Sequence, residues 1–358
     1  MNPRERVLKA LRREGTPDRV PFEISWGAFT PRLMKTYRKE TGSDLEPDEY
    51  FDFDTRYVRP LPSNKKTDFA QYFKGVELEK DVTFDDWGVG SVPTAFEIPD
   101  FKYHPLEKMT SVEEIDQFEW PDLDQAYRYK NLQSKIGTYH HRGYAVNADL
   151  YQTIFETAWL MRGMETFLMD FYINPDIVKS IIRHLTELRI KQAQYFTEMG
   201  VDVIRLGDDI TTQRGLMFSK EMYQEFFKPQ VKRIIDAAKQ INPDVLVFMH
   251  ACGKVEEMVE DFIDLDVDIL NPVQPECNDI SMLKEKYGDK ISFWGGIGVQ
   301  SVMPNGTPEE VKAAVTNAQN TLGKNGGYLM APAHILDPAI PWENIIAFIE
   351  AAKAASYK

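Results

Sequence analysis

The stretch VLVFMHACG, Val245 to Gly253, decides the fold. Its first five residues are apolar, the pattern of a strand buried on both faces of a parallel sheet. The run then breaks into His250-Ala251-Cys252-Gly253. In an extended chain, residues i and i+2 point to one side. The imidazole of His250 and the thiol of Cys252 therefore share a face at the C-terminal end of a strand. Parallel α/β folds place their chemistry at that end. A nitrogen and a sulfur side by side make a soft, zinc-type half-site, which needs further ligands from elsewhere in the chain.

Working outward, the pattern repeats. A strand at Tyr144–Ala148 precedes helices over 156–199, and a strand at Val201–Leu206 precedes a helix over 219–240. Strand Val245–His250 is followed by a helix over Val255–Ile263, strand Val267–Asn271 by one near Met282–Tyr287, and strand Ile291–Gly295 by one over Pro308–Leu322. Strand Gly327–Ala331 then leads to a helix over Trp342–Ala354. On the N-terminal side, residues 3–14 and Pro31–Thr41 read as helices and Val20–Ile24 as a first strand. YFDFDTRYV at Tyr50–Val58 reads as a second, and residues 111–139 look helical. Strands alternating with helices imply a parallel sheet, and eight of them a closed (β/α)₈ TIM barrel. The whole chain, 1–358, reads as one such domain. Residues 60–108, rich in Asp, Lys, Phe, Pro and Gly, interrupt the pattern as an inserted hairpin or lid. Within them Asp86-Trp87 suits a ligand ring or a partner surface.

Composition narrows the function. The 358 residues carry a formal net charge of −14, which repels a phosphate backbone, so no nucleic acid is expected. No apolar run approaches the ~20 residues of a membrane span, so no membrane is expected. The N-terminus MNPRERVLKALRREG lacks the apolar core of a signal peptide, and two Cys make no disulfide framework. Both features point to the cytoplasm. No Gly-rich dinucleotide or phosphate loop follows any strand.

In a barrel, the strand C-termini converge on one pocket. Those ends hold Trp26, Asp54, Asn147, Asp208, Asp209, His250, Cys252, Gln274, Cys277, Trp294 and His334. Both cysteines and two of the six histidines are among them. His250, Cys252 and His334 make a candidate three-ligand zinc site, with Cys277 or an aspartate, Asp208 or Asp209, as a further ligand. Asp208 and Asp209 are also the candidate catalytic acids, although two adjacent acids cannot both face the pocket. Trp26, Asp54, Asn147, Gln274 and Trp294 are candidate substrate contacts. Zinc beside a thiolate ligand polarises a carbonyl or water, or activates an incoming thiol.

These residues carry a resemblance. PRERVLKALRREGTPDRVPFEI at the N-terminus, ETAWLMRGMETFLMDF at 156–171 and GVDVIRLGDDITTQRGLMFSKEMYQEFFKP at 200–229 resemble the uroporphyrinogen decarboxylase superfamily, in its branch of corrinoid-dependent methyltransferases. HACG at 250, VDILNPVQPE at 267, FWGGI at 293 and GGYLMAPAHIL at 326–336 continue it over nearly the whole chain. The resemblance implies a (β/α)₈ barrel, a corrinoid protein as partner, a small-molecule methyl donor or acceptor, and zinc on the HxC pair. O-demethylation of methoxylated aromatics is one reaction of this kind. In that branch a third ligand, Cys, follows the last strand, where this chain has His334. A second branch transfers methyl between corrinoid and tetrahydrofolate without zinc.

The decarboxylase itself holds a polycarboxylate with an arginine-rich segment of the RQAGR type after the first strand. Here that segment reads SWGAFTPRLMKTYRKE. Asp54 falls where the decarboxylase has its substrate-binding aspartate. The expected activity is methyl transfer. Decarboxylation and a non-catalytic partner role are the alternatives.

Overall fold

The computed structural model describes residues 1–357 except 28, 95, 96 and 98. After β1 (Thr55–Val58), three short strands, β2 (Thr83–Phe84), β3 (Gly90–Val92) and β4 (Asp100–Tyr103), form a separate antiparallel sheet. Then come β5 (Ala145–Asp149), β6 (Val203–Gly207), the small hairpin β7 (Thr211–Thr212) and β8 (Gly215–Leu216), and β9 (Leu246–His250). β10 (Ile269–Asn271), β11 (Ser292–Ile297) and β12 (Tyr328–Pro332) complete the set. The main sheet is parallel throughout, in the order β1-β5-β6-β9-β10-β11-β12.

Burial explains why these runs are strands. Leu246 and Phe248 of β9 point inward and cluster with Val203, Ile269, Trp294 and Leu329. Val247 and Met249 point outward into the layer under the helices. β9 is thus apolar on both faces, as a sheet covered on both sides requires. The helix Pro3–Leu11 opens with a capping box, Asn2 with Glu5. It sends Val7 and Leu11 into the inner cluster and covers the N-terminal end of the strands.

Seven of the eight expected strands form. The segment Val20–Ile24 lies between β12 and β1 as extended chain with one parallel bridge, Phe22 to Met330. Glu23 N donates to Met330 O, Met330 N to Pro21 O and Asp54 N to Phe22 O, so the segment spans the gap between the sheet's edges. Its ladder is sparse because Pro21 has no N–H and Phe22 N donates to the Asp54 side chain. The expected strand over Tyr50–Val58 shortens to Thr55–Val58. Pro47–Tyr50 makes a turn of helix instead, with Pro at its start and Asp48 and Glu49 in its first turn.

Residues 60–108 hold the separate antiparallel sheet β2-β3-β4; 95, 96 and 98 lie outside the described residues. Asp86 there pairs with Arg128 at 2.7 Å, and Trp87 lies under the Arg189 guanidinium at 4.8 Å. Both members of that pair are thus engaged within the chain. No helix among the described residues is long and apolar enough to cross a membrane.

Candidate functional site

β9 ends in a buried histidine whose orientation is dictated by its neighbours. Asn271, at the end of β10, donates its Nδ2 to the carbonyl of Trp294 at 2.8 Å, which turns its Oδ1 toward His250. The Nδ1–H of His250 donates to that oxygen, so Nε2 carries the lone pair. This is the arrangement that orients a metal-binding imidazole. Nε2 lies 3.2 Å from Cys252 Sγ and 3.5 Å from Asp209 Oδ1. Asp209 is held in place by the backbone N–H of Cys252, which donates to its Oδ1 at 2.8 Å. Gly207, the last residue of β6, allows this crowding. A Cβ there would come within 2.6 Å of both His250 Cβ and the Tyr151 ring.

Asp209, His250 and Cys252 each offer one donor atom, all within 4.8 Å of one another. They are the one such group of three among the described residues. Burial holds the His250 pKa down to about 4, so the ring is neutral near pH 7. Burial pushes the Cys252 thiol well up, and the neighbouring Asp209 adds to the rise. A divalent cation reverses that effect and favours the thiolate. A neutral nitrogen, a thiol and a carboxylate thus fit a zinc-type ion, with the three protein donors that catalytic zinc sites carry.

The two adjacent acids part company, as their succession along one strand end requires. Asp208 turns away and caps the helix Phe155–Arg162, accepting from Ile154 N at 2.9 Å and Glu156 N at 3.0 Å. Burial raises its pKa to about 6. Asp209 faces the cluster. Behind it stands Glu156, whose Oε2 accepts from Asp209 N at 3.0 Å. Burial, then the charges of Asp209 and Asp208, push the Glu156 carboxyl up to about 9. Sequence reasoning missed Glu156 as a site residue, because it lies in the first turn of a helix in another β-α unit. A Glu at the start of a buried helix, within the motif ETAWLMRG, was the available signal.

His334 stands close by without joining the three donors. Its ring is 6.4 Å from that of His250, and the Trp26 ring meets both, at 5.8 Å and 5.4 Å. Cys277 is half-buried in the turn after Gln274, its Sγ 3.8 Å from the Gln274 carbonyl, and is not part of the cluster. Tyr151, a second residue not anticipated, packs edge-on against His250 at 5.0 Å. Trp294 lies one layer below, its Nε1 donating to Glu23 at 3.0 Å. Asn147 is also inside the barrel, fully buried, with neither amide atom hydrogen-bonded. Next to that layer the Arg205 guanidinium lies among the rings of Trp26, Tyr57, Phe248 and Trp294, 4.3 to 5.7 Å away.

Asp54 is placed elsewhere. It precedes β1, at the N-terminal end of the strands, opposite the cluster. Its carboxylate accepts from Arg6 at 2.7 Å, from Arg19 at 2.7 and 3.1 Å, and from Phe22 N at 2.9 Å. Every lone pair that could serve a substrate is taken by the chain itself.

A cavity of about 390 Å³ opens beside Cys252. Thr211, Thr212, Gly253, Gln274 and His334 are in its wall, which also reaches Thr30 and Asp337. None of the described residues lining it comes from 60–108. Cys252 of the donor cluster thus borders a space where a small molecule fits, at the strand ends where barrels work.

Comparison with known proteins identifies the family and the fold. The family model for uroporphyrinogen decarboxylase (URO-D) matches residues 152–355. A uroporphyrinogen decarboxylase of Coxiella burnetii is 21% identical over 69% of this chain and 68% of its own length. The methylcobamide:CoM methyltransferase MtbA of Methanosarcina mazei is 23% identical over 99% of this chain and 98% of its own. A solved methyltransferase structure from Methanosarcina mazei superposes with a TM-score of 0.67 and 18% identity, covering 99% of each chain. That likeness establishes a shared fold.

Proposed function

The chain belongs to the uroporphyrinogen decarboxylase family, and within it we propose a methyltransferase that moves a methyl group to or from a corrinoid carried by a partner protein. The observation that carries this reading is the cluster Asp209, His250 and Cys252, whose Cys252 borders a small cavity. The full-length similarity to a relative named as a methylcobamide:CoM methyltransferase supports it. The three residues would hold zinc, which supplies a positive charge that lowers the pKa of a thiol or water entering the cavity. This favours the zinc-dependent branch over the tetrahydrofolate branch.

The chain's own groups prepare that chemistry. Asn271 sets the tautomer of His250, and Cys252 N–H fixes Asp209. Glu156 stays protonated at neutral pH and adds no second negative charge beside Asp209. Trp26 and Tyr151 pack their rings against His250. Decarboxylation of a porphyrinogen has little to work with here, because Asp54 is engaged by two arginines at the far end of the strands.

The test is spectroscopic. The zinc-loaded protein, mixed with methylcobalamin and thiols or with cob(I)alamin and methoxylated aromatics, is expected to change the cobalt absorbance. A parallel incubation with uroporphyrinogen should release no coproporphyrin. Coproporphyrin without any cobalamin change overturns the reading.

A further inference from the structure

The segment 60–108 supplies none of the described residues lining the cavity, yet it reaches the donor cluster through one side chain. Arg189, on the long helix Pro175–Glu198, is 5% exposed. Its guanidinium donates to neutral oxygens, those of Gln152, Thr153, Thr157 and Gln192, and to no carboxylate. Burial lowers its pKa to about 10, against the pull of the Asp208 carboxylate, so the side chain stays charged near pH 7. A buried cation without an ion partner destabilises the fold, and a neutral side chain would avoid that penalty.

Arg189 holds the loop between β5 and the helix Phe155–Arg162. Its Nε donates to the Thr153 carbonyl at 3.1 Å, and its Nη2 to the Gln152 carbonyl. Three successive side chains of that loop lead to the site. Tyr151 packs its ring against His250 at 5.0 Å. Gln152 Nε2 donates to Glu156 Oε1 at 3.1 Å, and the other Glu156 oxygen accepts from Asp209 N. Thr153 Oγ1 accepts from Gly207 N at 2.8 Å, one residue before Asp208. The guanidinium is covered from the segment 60–108 by the Trp87 ring, 4.8 Å away. Trp87 is fixed on both sides. Asp85 Oδ1 accepts from Trp87 N and Val89 N at 2.9 Å, and Asp86 pairs with Arg128 at 2.7 Å. A lysine at 189 would keep the charge and lose both the fork onto two carbonyls and the stacking.

We propose that Arg189 is a positioning residue for the donor cluster, setting residues 151–153 against His250 and Asp209, and that the segment 60–108 serves the site by holding Arg189 through Trp87. The inference rests on Asp209, His250 and Cys252 being the metal donors. It gives the segment a supporting role in place of the lid expected from the sequence.

The test uses the full-length chain with Arg189→Lys, Trp87→Ala and Trp87→Phe. Ile181→Val, a buried position two turns away on the same helix, is the stability control. The first readout needs no metal: the ring-proton NMR signal of His250, assigned with His250→Gln. Arg189→Lys should shift that signal as the Tyr151 ring moves. Trp87→Ala should shift it the same way by less, and Trp87→Phe, which keeps a ring over the cation, should restore it. The second readout is cobalt(II) loaded in place of zinc, with its visible absorbance for ligand geometry and chelator competition for affinity. Arg189→Lys should weaken cobalt binding about tenfold, the scale of groups standing behind metal ligands, and Trp87→Ala a few-fold. Ile181→Val should lower the urea midpoint and move neither readout. Wild-type values of both readouts in folded Arg189→Lys and Trp87→Ala overturn the proposal. So does a control that moves them equally. If Arg189→Lys fails to fold, Trp87→Ala decides by the same criteria. A wild type that takes up no cobalt overturns the metal reading, and the His250 signal alone then decides whether Arg189 positions this cluster.

Discussion

The two ends of the barrel treat their buried acids in opposite ways. At the N-terminal end, Asp54 is clamped by Arg6 and Arg19, and Asp202 by Arg4 and His140. Burial alone would raise Asp202, yet His140, Arg4 and the Val146 N–H together hold it below the usual carboxylate range. At the C-terminal end, Asp208, Asp209 and Glu156 lie side by side. Among the described residues no Lys or Arg is within ion-pair distance of any of them. There burial lifts Glu156 to about 9 and Asp208 to about 6. One end has its charges neutralised and serves stability. The other keeps acids, a neutral imidazole and a thiol under electrostatic tension, which is where a cation or a reacting group belongs.

The largest expected effect is at the stable end. Asp54→Ala leaves two arginines facing a buried gap and should cost roughly 3–5 kcal/mol of unfolding free energy in urea titration. Metal affinity should be untouched in the folded fraction. An unchanged midpoint would erase the contrast between the ends.

The next effect is a pH slope. Glu23 lies between the two ends, and its carboxyl is raised to about 7 by burial, against the opposing pull of Arg205 and its hydrogen bonds. The folded state therefore keeps a proton that the unfolded chain has lost. Stability from this group is complete below about pH 4.5 and falls as pH rises toward 7, by at most roughly 1.4 kcal/mol per pH unit. Glu23→Gln should flatten that slope. Asp202 acts with the opposite sign: its contribution is present above the usual carboxylate range and is lost as pH falls through its depressed value. Parallel stability–pH curves for wild type and Glu23→Gln would contradict the assignment.

A smaller effect distinguishes the two adjacent acids. Asp208→Ala removes a helix cap and should cost about 1–2 kcal/mol in thermal or urea unfolding. Asp209→Asn should cost little stability and act on metal binding instead. Equal effects from both would mean that the acids are not divided as described.

Much of the fold was legible because strands such as β9 and β12 announce themselves as apolar runs ended by polar residues. Val245–His250 becomes β9 with little change, and the i, i+2 rule correctly joins His250 to Cys252. The eighth strand was not legible, because its pairing fails for a reason outside the segment: Asp54 takes the Phe22 N–H. The sequence also placed Asp54 near the mouth, since an acid in an aromatic strand looks the same at either end. Of the proposed further ligands, Asp209 joins the cluster, while His334 and Cys277 stand outside it. The direction of a side chain beyond a strand's last residue depends on loop geometry, which periodicity does not encode. Glu156 was missed for a related reason, since Asp209, which joins it to the site, lies more than fifty residues away in the chain.

The central claim is that Asp209, His250 and Cys252 form the metal site and Cys277 does not. Elemental analysis of the purified wild type, Cys252→Ser and Cys277→Ser after zinc loading and dialysis tests it directly. About one zinc per chain is expected in wild type and in Cys277→Ser, with occupancy falling at least tenfold in Cys252→Ser because thiolate is the strongest soft donor of the three. Zinc retained in Cys252→Ser, or absent from wild type, would contradict the account.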